Sequence, residues 1–219
     1  MRRQWLAALL LLPLAQATMA IETPEYELLM SDDDFEIRRY AEYIVAEVDI
    51  DADMRESGNS AFRILAGYIF GNNVAGEKMR MTAPVEASSP EDGVRMNMTA
   101  PVESQPGDAG TTTYAFVMER RYTLETLPKP VDPRIRIVVR PARTMAVRRY
   151  SGTWSEANYD EHRAALFDAL DEAAVTTVGP PVWARYDAPM TPWFMRRNEV
   201  MVEVSWPRAD GAAGPERDG

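Results

Sequence analysis

Apolar and polar side chains alternate along Phe35-Glu36-Ile37-Arg38-Arg39-Tyr40, the period of a half-buried strand. The strand-like pattern resumes from Tyr43 to Ile50. The period then changes. Phe62, Leu65, Ala66 and Ile69 fall at i, i+3, i+4 and i+7, which predicts a helix with Gly71 as its C′ residue. Strands are predicted next at Lys78–Thr82, Val94–Thr99 and Thr112–Met118. Further on, Arg134–Arg140 and Arg143–Tyr150 read as strands, and Thr153 with Glu156 has the spacing of a capping box. Tyr159, Leu166, Phe167 and Leu170 form a second helical stripe. Strands are predicted at Val182–Tyr186 and Glu199–Ser205, with Val200, Val202 and Val204 on one face of the last. Ser104–Gly110 reads as a polar turn-rich loop, and residues 207–219 as a disordered tail.

The order strand, strand, helix, strands occurs twice, in halves of about 35–120 and 134–204. Tyr40–Val48 and Arg140–Arg148 stand 100 residues apart, each ahead of a helix. The expected fold class is α+β: a duplicated antiparallel sheet or distorted β-barrel with two helices packed on it. Residues 21–206 are expected to form one domain.

The N-terminus departs from this plan. Arg2 and Arg3 precede an apolar run from Trp5 to Leu14, and small residues follow at Ala15, Ala17 and Ala20. That order is expected of a secretory signal peptide covering residues 1–20, and the run is too short to span a bilayer. A periplasmic or secreted location, with no stable membrane anchor after cleavage, is therefore expected. Arg2-Arg3 faintly resembles a twin-arginine signal, whereas the leucine-rich core favours the general secretory route. The chain has no cysteine, which excludes disulfides, thiolate metal sites and a cysteine nucleophile. Loss of the leader takes two arginines from 24 basic residues and leaves all 34 acids, a net charge of −12. Such a chain repels nucleic acid and anionic membranes at long range.

Four stretches carry a family resemblance: FEIRRY (Phe35–Tyr40), Phe62–Asn73 with KMRMTAPV (Lys78–Val85), SGTWSEANYDEH (Ser151–His162), and YDAPMTPWFMRRNEVMVEV (Tyr186–Val204). Together they resemble the SOUL haem-binding family, from about Glu25 to Val204. The resemblance implies a duplicated barrel-like domain, similar to gyrase-inhibitor-like effector-binding domains. It also implies a haem or other tetrapyrrole ligand, held in an apolar groove beside the first helix. One branch of the family has a proposed axial histidine in the strand where this chain has Arg39. Other members carry a basic residue in the closing loop where this chain has Thr191, and Arg63 on the first helix is a substitute.

The candidate chemistry is sparse. His162 is the only histidine and borders the second helical stripe, either as an iron ligand or as a helix-flank residue. Met79 and Met81, and again Met96 and Met98, alternate with polar residues. Each pair is either a thioether surface for haem iron or Cu(I), or core filler. Lys78, Arg80, Arg95, Arg196 and Arg197 are candidate partners for propionates. Met190, Trp193 and Phe194 either cap a flat ligand or pack on the barrel end. Glu199, opposite the valine face, is an alternative pocket carboxylate or half of an ion pair. No nucleophile triad, phosphate loop or metal-ligand cluster stands out, so nothing compels an enzyme reading.

Three readings follow. The first is a non-enzymatic binder of haem or a related tetrapyrrole, using Phe62, Arg63, Leu65, Ile69, Lys78, Met79, Met81, Met190, Trp193 and Phe194. The second is binding or hydrolysis of another hydrophobic small molecule in a gyrase-inhibitor-like pocket, with Glu199 and nearby tyrosines as the polar groups. The third is a Cu(I) site on the methionine strands.

Overall fold

A computed structural model describes residues 21–51, 54–75, 93–107 and 110–207. The leader, Lys78, Met79, Arg80, Met81 and the strand expected there lie outside the described residues, as does the tail beyond Pro207.

The strands are β1 (Tyr26–Ser31), β2 (Glu36–Tyr40), β3 (Tyr43–Ile50), β4 (Asn73–Val74), β5 (Val102–Pro106), β6 (Thr112–Val117), β7 (Lys129–Pro130), β8 (Arg136–Arg140), β9 (Arg143–Tyr150), β10 (Thr177–Arg185) and β11 (Asn198–Val204). The helices are α1 (Met54–Ile69) and α2 (Glu156–Glu172). Nine strands form one antiparallel sheet in the order β1-β2-β9-β11-β10-β5-β6-β3-β8, while β4 and β7 pair separately. Outside the edge strand β1, the order is symmetric about the β10–β5 junction. β2, β3, β5 and β6 hold the places that β8, β9, β10 and β11 hold on the other side. The first strand of each set pairs across: β2 with β9, and β8 with β3.

Both helices lie on one face of the sheet. α1 buries Ala61, Leu65, Tyr68 and Ile69 against Ala46, Val48, Tyr114 and Phe116 of β3 and β6. Its buried face is turned from the predicted stripe, and Phe62 is left at its edge, 40% exposed. α1 ends where expected: Gly71 takes a φ of +118°, and the Asn72 N–H reaches the Gly67 carbonyl at 2.9 Å. α2 buries Tyr159, Leu166 and Leu170 against Ile37, Ala146, Val200 and Val202. Its N-cap is Ser155, whose hydroxyl accepts from the Asn158 N–H, rather than the Thr153 of the predicted capping box.

Among the described residues the opposite sheet face carries no helix, yet Val45, Val147, Met201 and Glu199 on it are buried. The sheet therefore curls over that face into a half-barrel whose interior is partly charged. Within it, Tyr43 donates to Glu103 at 2.8 Å and accepts from Arg143 at 2.7 Å.

One loop expectation and one strand expectation are corrected. Ser104 to Pro106 belong to β5, where Ser104 is buried opposite Trp183 and Tyr114. Residues 94–99 form no ladder. Instead the Met96 N–H bonds the Ile69 carbonyl at 2.8 Å, the Val94 N–H bonds the Asn73 side chain, and Thr99 donates to the Val117 carbonyl. Asn97 donates its backbone N–H and its amide to the Glu119 carboxylate at 2.9 and 3.0 Å. Burial works to raise the Glu119 pKa, but the Asn97 donors and Arg121 outweigh it, so the pKa is lowered. A carboxylate lowered on folding contributes stability above its unfolded pKa and loses it as pH falls through the folded one. Unfolding titrations from neutrality to roughly pH 3 should therefore show a steeper acid loss in the wild type than in Glu119→Gln. Equal acid limbs would show that this clasp adds nothing.

Candidate functional site

A cleft of about 270 Å³ opens on the helix-bearing face where the two sets of strands meet. Gly58, Asn59 and Phe62 of α1 form one wall, and Val102 of β5 and Tyr114 of β6 form the floor. Arg185 at the end of β10, Trp154 ahead of α2, and Asp187 and Pro189 complete it. Phe62 meets Phe116 edge-on, with ring centroids 5.5 Å apart. Gly58 keeps the wall thin: a Cβ there would stand 3.7 Å from Arg185 Nη1 and Tyr114 Oη.

Local chain geometry places Trp154. Gly152 has a φ of +123°, and a Cβ on it would lie 2.7 Å from the Asn158 amide, so a side chain is excluded there. Its N–H bonds the Trp193 carbonyl at 3.0 Å, and its carbonyl accepts from Asn198. The Trp154 indole donates to Asn198 Oδ1 at 2.8 Å, and the Arg196 guanidinium stacks over the ring at 4.3 Å. In β10, the register shift between Val178 and Val182 falls on Gly179-Pro180-Pro181, where two prolines cannot donate to a ladder. Beyond this bulge the strand sets Trp183 and Arg185 on the helix-bearing face.

The expected site residues part company. Phe62 lines the cleft, and Arg63 is exposed one residue further along α1. Leu65 and Ile69 are buried in the core beneath α1 and present no surface to the cleft. Met190, Trp193 and Phe194 do not pack on the barrel end. They stand 90%, 58% and 60% exposed on the loop that leaves the cleft at Pro189. Met96 is in the core, with Met98 packed on the same cluster. His162 stacks on Tyr150 at 4.2 Å, where burial and the nearby Arg148 lower its pKa. Among the expected propionate partners, Arg196 is spent on the Thr191 and Pro189 carbonyls, and Arg95 stacks on Phe70. Arg39, in place of the proposed axial histidine, is an exposed partner of Glu27 at 3.0 Å.

Glu199 is fully buried inside the half-barrel, on the face away from the cleft. Both its oxygens accept from Arg38 Nη1 at 3.1 Å, Arg197 donates at 2.7 and 3.0 Å, and Tyr186 donates at 2.8 Å. Burial pushes the Tyr40 phenol beside this cluster up to about 12. With its oxygens filled by cations and a phenol, Glu199 has the geometry of a structural ion cluster rather than a free general base.

A family model described as "SOUL heme-binding protein" matches residues 21–203. The chain belongs to the SOUL family. No curated protein sequence matches it. Among solved structures, the SOUL domain is similar to the EcmrR C-terminal domain at 10% identity and TM-score 0.54, covering 82% of this chain and 98% of that one. It is also similar to a hydrolase from Listeria innocua at 13% identity and TM-score 0.52, covering 78% of this chain and 92% of that one. At such identities the likeness is one of fold. Among the described residues of the SOUL domain, no group of three or more His, Cys, Asp or Glu is placed to hold a metal.

The lining residues missed in the sequence include Gly58, Tyr114, Trp154 and Arg185. The available signal was the period-two reading of Val182–Tyr186, which sets Arg185 on the same face as Trp183.

Proposed function

We propose that this protein is a non-enzymatic binder of haem or a related flat tetrapyrrole, seated edge-on in the cleft beside α1. The observation that carries the reading is the cleft itself, with its aromatic wall and the exposed apolar side chains on the adjoining loop. Contiguous exposed apolar surface beside a concavity marks a binding site more often than chance exposure. At about 270 Å³ the cleft is near the small end for ligand pockets, so it holds one edge of a macrocycle. The remainder lies along the loop that carries Met190, Trp193 and Phe194. Burial of the ring contributes at about 25 cal/mol per Å² of apolar area, less the cost of ordering the partners.

The test is a haemin titration followed at the Soret band, with a saturable shift expected. His162 lies outside the cleft lining and is packed on Tyr150. His162→Ala should therefore leave the Kd within about threefold, under ~1 kcal/mol. Loss of binding in that variant overturns the apolar mode. No saturable shift in the wild type removes haem as the ligand.

The reading includes export. Mass spectrometry of the protein from its native host should find a start near Thr18 or Ile21, supported by the small residues at Ala17 and Ala20. Recovery of the intact chain from the cytoplasm defeats this part alone.

A further inference from the structure

We propose that Arg185 is a carboxylate receptor at the base of the cleft, so that the ligand is a flat apolar acid gripped by its anionic end. The proposal rests on the cleft being the binding site.

Arg185 is unlike the other inward-facing arginines. Arg38 pairs with Glu36 and Glu199, Arg140 with Glu47, Arg143 with Glu103 and the Tyr43 phenol, and Arg148 with Asp34. Among the described residues no carboxylate pairs with Arg185. Its guanidinium instead lies 5.4 Å from the centre of the Trp154 ring. Asp187, the acid on the cleft lining, turns an oxygen to the Arg197 N–H at 2.6 Å. Burial lowers the Arg185 pKa, and the nearby phenols of Tyr114 and Tyr150 only partly oppose it. A largely buried cation without a counter-ion is costly, and an incoming anion removes that cost.

A second observation points the same way. On the side of Arg185 toward α2 is a small void that Tyr159 and Trp183 also line. Tyr159 is 5% exposed, and among the described residues neither its hydroxyl nor the Trp183 indole nitrogen has a hydrogen-bond partner. Burial raises the Tyr159 pKa, so the phenol keeps its proton. Indole N–H and guanidinium are donors only, and the phenol is able to donate. Three donor groups thus line a void of about 10 Å³, room for one water, and among the described residues no acid lines it. A cationic or neutral ligand leaves Arg185 without a counter-ion. A carboxylate in the cleft supplies that counter-ion, and the arginine fork takes both its oxygens.

The test uses two pairs of probes that differ only in the acid: 1-pyrenebutyrate against 1-pyrenebutanol, and haemin against its dimethyl ester. Fluorescence titration with the mature protein should show the pyrene acid bound at least tenfold tighter than the alcohol. High salt should narrow the gap. Arg185→Met keeps side-chain length without charge. It should bring the acid down to the affinity of the alcohol while the alcohol stays within threefold. Arg185→Lys should recover part of the difference. Haemin should outbind its ester in the same sense. Equal wild-type binding of acid and alcohol overturns the receptor and leaves the cleft standing. Equal weakening of both probes by Arg185→Met shows a structural role and also overturns it. Failure of all four probes to bind overturns the cleft and the receptor together. The acid-to-alcohol ratio of the wild type decides the matter even if a variant fails to fold.

Discussion

Glu199→Leu is expected to lose about 3–5 kcal/mol of folding stability, the range for removing one partner of a buried ion pair. The carboxylate is fully buried and neutralises two cations. Without it, Arg38 retains Glu36 at 2.6 Å and the Tyr40 hydroxyl at 3.2 Å, while Arg197 loses its carboxylate. Arg38 is the more serious case, because its side chain is 4% exposed against 31% for Arg197. In a domain of this size the melting temperature should fall by on the order of 10 °C. Equilibrium urea unfolding followed by circular dichroism measures the loss. A loss under ~1 kcal/mol would mean that water reaches Arg38 once the carboxylate is gone. The double variant Arg38→Met/Glu199→Leu should regain much of the stability, since a buried pair exchanged for apolar residues is often near neutral. Haemin affinity should move little in the folded fraction, because this cluster lies across the sheet from the cleft.

Phe62→Asp should have the opposite profile, with modest loss of stability and large loss of binding. The ring is 40% exposed, so the fold depends on it only in part. Its open surface forms the α1 wall of the cleft. An aspartate there sets a charge against an apolar ring, which is unfavourable without a partner. It also sets a like charge against any ligand acid. Haemin binding should weaken at least thirtyfold, about 2 kcal/mol. Soret titration measures the effect, and circular dichroism confirms that the variant is folded. A change within threefold would move the ligand away from α1.

The elements most readable from sequence are those whose side chains face unlike surroundings. β3 and β9 were readable over their full lengths as strand-like runs with apolar stretches, which the fold buries on both sheet faces. α2 was readable from Tyr159, Leu166 and Leu170, all buried. β5 was hidden because Ser104, Gln105 and Pro106 carry turn chemistry, and only pairing with β6 and β10 makes them a strand. Residues 94–99 failed in the reverse sense: their alternation is real, but the neighbours that bond them are a helix end and side chains. Of the site, Phe62 was visible because it belongs to a periodic stripe. Arg185, Trp154 and Tyr114 meet through sheet order, which no local pattern encodes. Glu199 was singled out as a pocket carboxylate or half of an ion pair, but its partner Arg38 lies 161 residues away, and only the fold decides that its oxygens are filled.

The crossed pairing of the first strands bears on how the chain is made. Tyr40 is opposite Arg143 and Glu36 is opposite Val147, so β2 has no inner neighbour until β9 exists. At roughly 5–20 residues per second, a ribosome takes on the order of 5–20 s to travel that distance. Throughout that interval the β1–β2 hairpin has an unpaired inner edge, the condition under which strands find wrong partners. When the domain is expressed without its leader, slower translation lengthens the exposure and faster translation shortens it, so yield of soluble protein should depend on elongation rate between β2 and β9 even when the finished fold is unchanged.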